Sequence, residues 1–144
     1  MTELYEKSLR TLELPAVLDL LAAEAVSAPA KEKTLALRPA ETEYEIKRRL
    51  GETSAAKAMM VLHTAPSFGG VRDVRSSLAR ADIGGMLNTR ELLDIAGVLQ
   101  TTRTVRAYAD GESCGRSELD FLFSSLMPNK YLEEKITGCI AAED

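Results

Sequence analysis

Two short polar motifs constrain this chain more than anything else in it: Thr42-x-x-Glu45 and Asn88-x-x-Glu91. Each places a hydroxyl or amide side chain three residues before a glutamate. In that pattern the first unpaired N–H groups of a helix are satisfied reciprocally. Each motif opens a proline-free run, one to about residue 62 and the other to about residue 109. A chain that commits so many consecutive residues to two helices leaves little room for a sheet.

The remaining segments follow the same grammar. Residues 3–11 space Leu4, Ser8 and Thr11 at helical intervals. Pro15 suits the first turn of a second helix, where its missing N–H is harmless. Pro29 opens a third, short helix that ends at Arg38-Pro39, because the residue before proline disfavours the helical region. Further helices are expected over 71–82, over 88–109, after a Ser117 cap, and from Asn129 onward. The last is still running at Asp144 without a stop signal, the pattern of a chain cut from something longer. Gly51 interrupts the first long helix at some cost. Gly84-Gly85 reads as a left-handed helix stop, with Ile83, Met86 and Leu87 packing the corner. No strand pattern competes, no repeat or linker is visible, and the 144 residues read as one all-α multi-helix bundle.

Composition supports the helical reading. Aromatic residues make up 5% and tryptophan is absent, so the core must come mainly from Leu, Ala, Val and Met. The net charge of −4 excludes nucleic-acid binding by bulk charge, but the charge is unevenly placed. Residues 1–43 carry −3, residues 44–109 carry +4 and residues 110–144 carry −5. Cys114 and Cys139 read as free thiols of a cytoplasmic protein. The charged N-terminus lacks the apolar stretch of a secretory signal, and no run is long enough to span a membrane.

The motifs of chemistry are missing. His63 is the only histidine, which excludes multi-histidine metal sites, and a lone histidine at a helix end is usually structural. The cysteines form no CxxC pair. Gly69-Gly70 precedes a helix, as in a phosphate site, but without GxxxxGK[ST] or GxGxxG it reads as a turn. The acidic neighbours Glu118 with Asp120 and Glu133 with Glu134 read as a solvated face rather than an acid/base pair. No catalytic, cofactor-binding or metal-binding residue is expected.

The arginines are more informative. On a helix over 71–82, Val71, Val74, Leu78 and Ala81 share one quarter of the circumference. Arg72 and Arg80 then face away and Arg75 lies at the rim. These three are the candidates for contact with nucleic-acid phosphate, beside the plainer reading of a solvated face. The stripe Leu92, Ala96, Leu99 continues into Arg103 and Arg106, where core residues would be expected. Arginines there need acidic partners, with Glu52 a candidate by type, or else face a partner molecule.

Together these residues carry a resemblance. Asp73-Val-Arg-x-x-Leu78-x-Arg80-x-x-x-Gly84-Gly85, with Glu91-Leu92-Leu93 and Leu99 following, resembles the helical core domain of MutS-type ATPases. LRPAETEYEIKRRLGETSAA, residues 37–56, resembles the L-x-P entry to that core and its long helix. YEKSLRTLELPAVLDLLAAEAVS, residues 5–27, resembles the N-terminus of the second bacterial branch, MutS type two. The similarity runs from residue 3 to about residue 140.

The resemblance implies a long dimeric protein in which the core leads into lever helices, a clamp, an ATP- and magnesium-binding domain and usually an Smr nuclease domain. Such proteins bind branched DNA, suppress recombination and, in some bacteria, split stalled ribosomes. None of the family's catalytic motifs falls within these residues, so the resemblance implies a scaffold segment with no cofactor of its own. The competing expectations are an independent helical adaptor for a protein partner and a small nucleic-acid-binding module using Arg72, Arg75 and Arg80.

Overall fold

The computed structural model describes residues 3–110 and 117–140. All regular elements among them are helices: α1 (Glu3–Thr11), α2 (Leu14–Glu24), α3 (Ala28–Leu35), α4 (Glu43–His63), α5 (Arg75–Asp82), α6 (Thr89–Ala109), α7 (Asp120–Ser124) and α8 (Lys130–Cys139). The sequence reads as one unit, yet the contacts gather the chain into two, residues 1–39 and residues 40–144. The boundary falls at Pro39, in the irregular stretch between α3 and α4.

In the first unit α2 packs against α1 and α3. Glu13 bends the chain between α1 and α2 with φ 55°, and the proline enters α2 in its first turn. Ser27 caps α3 by accepting from the Ala30 N–H at 3.3 Å. Leu9, Leu18 and Ala22 are the buried apolar residues. Helix α2 is apolar on nearly every side, so burying one face leaves Val17, Leu20 and Leu21 in solvent.

In the second unit α6 is the central element, packed against α7 and α8. Ala96 and Val105 of α6, Ile136 of α8, Met59 of α4 and Leu119 form its apolar core. The Asn88–Glu91 box is complete. Asn88 Oδ1 accepts from the Glu91 N–H and the Asn88 N–H donates to Glu91 Oε2, both at 2.9 Å. At α4 the Thr42 hydroxyl accepts from the Glu45 N–H, while the Glu45 carboxylate takes Arg49 one turn on.

Gly84 ends α5 in the left-handed region, φ 81°. The Gly85 N–H bonds to the Arg80 carbonyl and the Gly84 N–H to the Ala81 carbonyl, both at 2.9 Å, the paired bonds of a Schellman stop. The expected apolar corner is packed only in part: Leu87 is half-buried, but Ile83 is 84% and Met86 92% exposed.

Two helix boundaries differ from expectation. Residues 71–74 are not helical and α5 starts at Arg75. The Asp73 carboxylate captures the Arg75 N–H at 3.1 Å, a local bond that competes with the helical ladder. The apolar face drawn for 71–82 is therefore not the packed one: Ser77 is buried, while Leu78 and Ala81 are exposed. At the other end α8 stops at Cys139, where Ile140 turns extended, instead of running on. Cys114 and most of the loop 110–117 lie outside the described residues.

Candidate functional site

The α5–α6 corner carries the arginines. Arg72 lies in the irregular segment before α5, exposed, with no ion-pair partner among the described residues. Arg75 clamps Asp73 with two guanidinium bonds, at 2.9 and 2.6 Å. That side-chain contact, with the Arg75 backbone N–H, lowers the Asp73 pKa to about 2. Arg80 reaches across the corner to Glu91, which also accepts from the Ser77 hydroxyl at 3.2 Å. The Asn88 N–H and then Arg80 hold Glu91 below the ordinary carboxylate range. One carboxylate thus caps α6 and ties α5 to it.

The deeper arginines of α6 are also engaged. Arg103 meets Glu133 of α8 through two bonds, at 3.0 and 2.8 Å. Glu133 is 8% exposed, so the acidic neighbour pair on α8 is not a uniformly solvated face. The fork-to-carboxylate contact lowers the Glu133 pKa and raises that of Arg103. Arg106 donates to the Phe123 carbonyl at 2.7 Å, pinning α7, and lies 3.3 Å from Asp110. Glu52 does not meet either of them; Arg48 holds it at 2.7 Å on α4 itself. An acidic residue four positions away on the same helix is the easier partner, since no tertiary contact is needed.

Sequence reasoning missed Gly97. A Cβ on Gly70 would stand 2.6 Å from Thr101 Oγ1 and 3.2 Å from the Gly97 carbonyl oxygen. A Cβ on Gly97 would stand 3.1 Å from the Gly70 carbonyl oxygen. At the second glycine of Gly69-Gly70 the chain lies so close to α6 that a side chain would be crowded. Gly51 differs, because a Cβ there would meet only the end of the exposed Glu118 side chain, which can swing aside. A glycine within a helix signals such a contact only weakly, since its counterpart lies far away in sequence.

Between α4, α6 and α7 lies an apolar cavity of about 410 Å³. Met59, Phe68, Val105, Tyr108, Leu122 and Phe123 are among its walls. His63 meets the Tyr108 ring edge-on, with centroids 6.2 Å apart and planes at 88°. The Tyr108 hydroxyl is shut off from solvent and has no hydrogen-bond partner among the described residues. Among the described residues no cluster of His, Cys, Asp and Glu could hold a metal ion, and no helix is long and apolar enough to cross a membrane. Cys139 is an exposed free thiol.

At the corner, then, Arg75 and Arg80 each hold a carboxylate and Arg72 has no ion pair among the described residues. No family model matches the chain. It is 37% identical over 142 residues to endonuclease MutS2 of Ruminiclostridium cellulolyticum, covering 96% of this chain and 18% of that protein. It is 35% identical to endonuclease MutS2 of Acetivibrio thermocellus and 30% identical to that of Bacillus velezensis, over 96% and 95% of this chain and again 18% of each relative. The chain thus spans less than a fifth of the length of these curated relatives.

Proposed function

This chain is homologous to one segment of endonuclease MutS2, and on that premise we propose that it is a non-catalytic helical scaffold within a protein of that kind. It supports neighbouring elements and passes on their movement. The observation that carries this reading is its pattern of exposed apolar side chains. Ile46, Leu50 and Val61 share one face of α4 and are 44%, 62% and 77% exposed. No side chain among the described residues is less than 2% exposed. Such a segment expects further protein against it.

The family's activities, namely ATP hydrolysis, nucleic-acid cleavage, suppression of recombination and splitting of stalled ribosomes, belong in this reading to an intact, dimeric, cytoplasmic protein. DNA or the ribosome is its ligand. The purified 144-residue chain is expected to turn over neither ATP nor DNA. Turnover that survives contaminant controls and persists in an independently prepared sample sinks the scaffold reading.

Direct nucleic-acid binding through Arg72, Arg75 and Arg80 has less support, because Arg75 and Arg80 already hold carboxylates. Arg72, Arg75 and Arg80 together are then expected to add no more to the salt slope of nucleic-acid binding than one phosphate contact allows. A steep salt slope abolished by replacing all three with alanine restores the nucleic-acid module. An independent adaptor is the remaining alternative, and a reading frame that continues into a P-loop motif excludes it.

A further inference from the structure

The segment that joins α4 to α5 has features of a movable part. It starts at Thr64, whose φ of 67° and ψ of 157° lie in a region that glycine alone adopts comfortably. Pro66 and Phe68 then line the apolar cavity, with Phe68 still 45% exposed. The far end lies where Gly70 comes close to the Gly97 backbone and the Thr101 side chain. Met59, Met60 and Tyr108 line the same cavity, and the Tyr108 hydroxyl has no partner among the described residues.

We propose that residues 64–70 form a strap that seats on and lifts from this cavity, hinged at Thr64 and anchored at the Gly70–Gly97 contact. The seated state carries two opposing costs, a strained threonine and an orphaned phenol. It gains the apolar burial of Pro66 and the covered part of Phe68. Lifting relaxes Thr64, lets water reach the Tyr108 hydroxyl and exposes the Met59 side of α4. Two states separated by so few opposing contributions are close enough in free energy for the lifted one to be populated. The strap is also the covalent joint between α4 and α5, so its position sets how freely the end of α4 moves against α6. This inference does not depend on the scaffold reading, and an active chain would leave it standing.

Methionine methyl relaxation dispersion on the full chain tests it. Met59 and Met60 line the cavity beside Pro66 and Phe68, Met59 being buried, and the 92% exposed Met86 serves as control. The wild type is expected to show exchange at Met59 on the microsecond-to-millisecond scale, absent at Met86. Thr64→Gly relieves the seated strain and lowers the lifted population roughly tenfold. Gly97→Ala crowds the anchor and raises that population. A Met59 methyl without exchange in both the wild type and Gly97→Ala overturns the proposal. So does exchange indifferent to Thr64→Gly, or exchange shared equally by Met86.

Discussion

The α5–α6 corner and the cavity between α4, α6 and α7 belong to the same unit but solve the packing problem in opposite ways. At the corner, Glu91 alone satisfies the Asn88 N–H, Arg80 and Ser77, and the Schellman stop pairs the carbonyls that end α5. At the cavity the walls are apolar, and the buried Tyr108 hydroxyl is unpaired among the described residues. The difference teaches where change should be costly. Removing a polar group from the paired network strands its partners, whereas removing the unpaired one strands nothing.

The largest effect is expected just beyond the corner, at the Arg103–Glu133 pair. Glu133→Gln leaves a guanidinium facing a buried neutral amide. Solvent reaches the Arg103 side chain, 41% exposed, so the loss falls short of that of a fully buried pair but should still exceed those of the variants below. Urea unfolding checks this. The Glu133 pKa is lowered in the folded state. Its stabilisation is therefore present above the unfolded-state pKa and is lost as pH falls through the folded one. The wild type should lose this increment on acidification, and Glu133→Gln should lack that component of the acid dependence.

Next comes Gly70→Ala, expected to destabilise by about 1.5 kcal/mol through overpacking. The nearest atom to the new Cβ is Thr101 Oγ1, so Thr101→Ala in the same chain should recover part of the loss. Additive effects of the two substitutions would mean that the close approach is not what makes glycine necessary at residue 70.

The two regions then predict opposite signs for a similar deletion. Asn88→Ala removes the helix cap and should cost about 1 kcal/mol. Tyr108→Phe removes the unpaired hydroxyl and should stabilise by up to about 1 kcal/mol. Thermal unfolding of both variants side by side measures the contrast. A destabilising Tyr108→Phe would mean that the hydroxyl has a partner.

The same contrast explains what could be read from sequence. Local interactions were legible. The Asn88–Glu91 box, the left-handed Gly84, the proline that enters α2 and the span of α4 all depend on residues within a few positions. The all-α class follows from them. What failed depends on distance or competition. The partner of Arg103 is Glu133, thirty residues on and on another helix, whereas the nominated Glu52 is taken by its own neighbour Arg48. The reason for Gly70 is Gly97, which no local pattern connects to it. The start of α5 moved because one carboxylate, that of Asp73, bonds a backbone N–H the helix would otherwise use. Amphipathic counting over 71–82 assumed a helix there, so it placed Arg72 on a face that does not exist.

That carboxylate offers the smallest and cleanest test. Asp73 is exposed, so its clamp should change unfolding little, but its ionisation reports the clamp directly. With Arg75 donating through side chain and backbone, the Asp73 pKa is lowered to about 2. Arg75→Gln removes the guanidinium but keeps the backbone N–H. The pKa should rise part of the way toward an ordinary aspartate, read from the pH dependence of its carboxyl carbon resonance. Because the folded pKa lies below the unfolded one, any stabilisation from the clamp is present above the unfolded value and disappears as pH falls toward 2. An Asp73 resonance that titrates alike in wild type and Arg75→Gln would show that the guanidinium is free in solution. Arg75 would then rejoin Arg72 as an available cation, and the corner would regain the phosphate-binding capacity that its internal pairs otherwise remove.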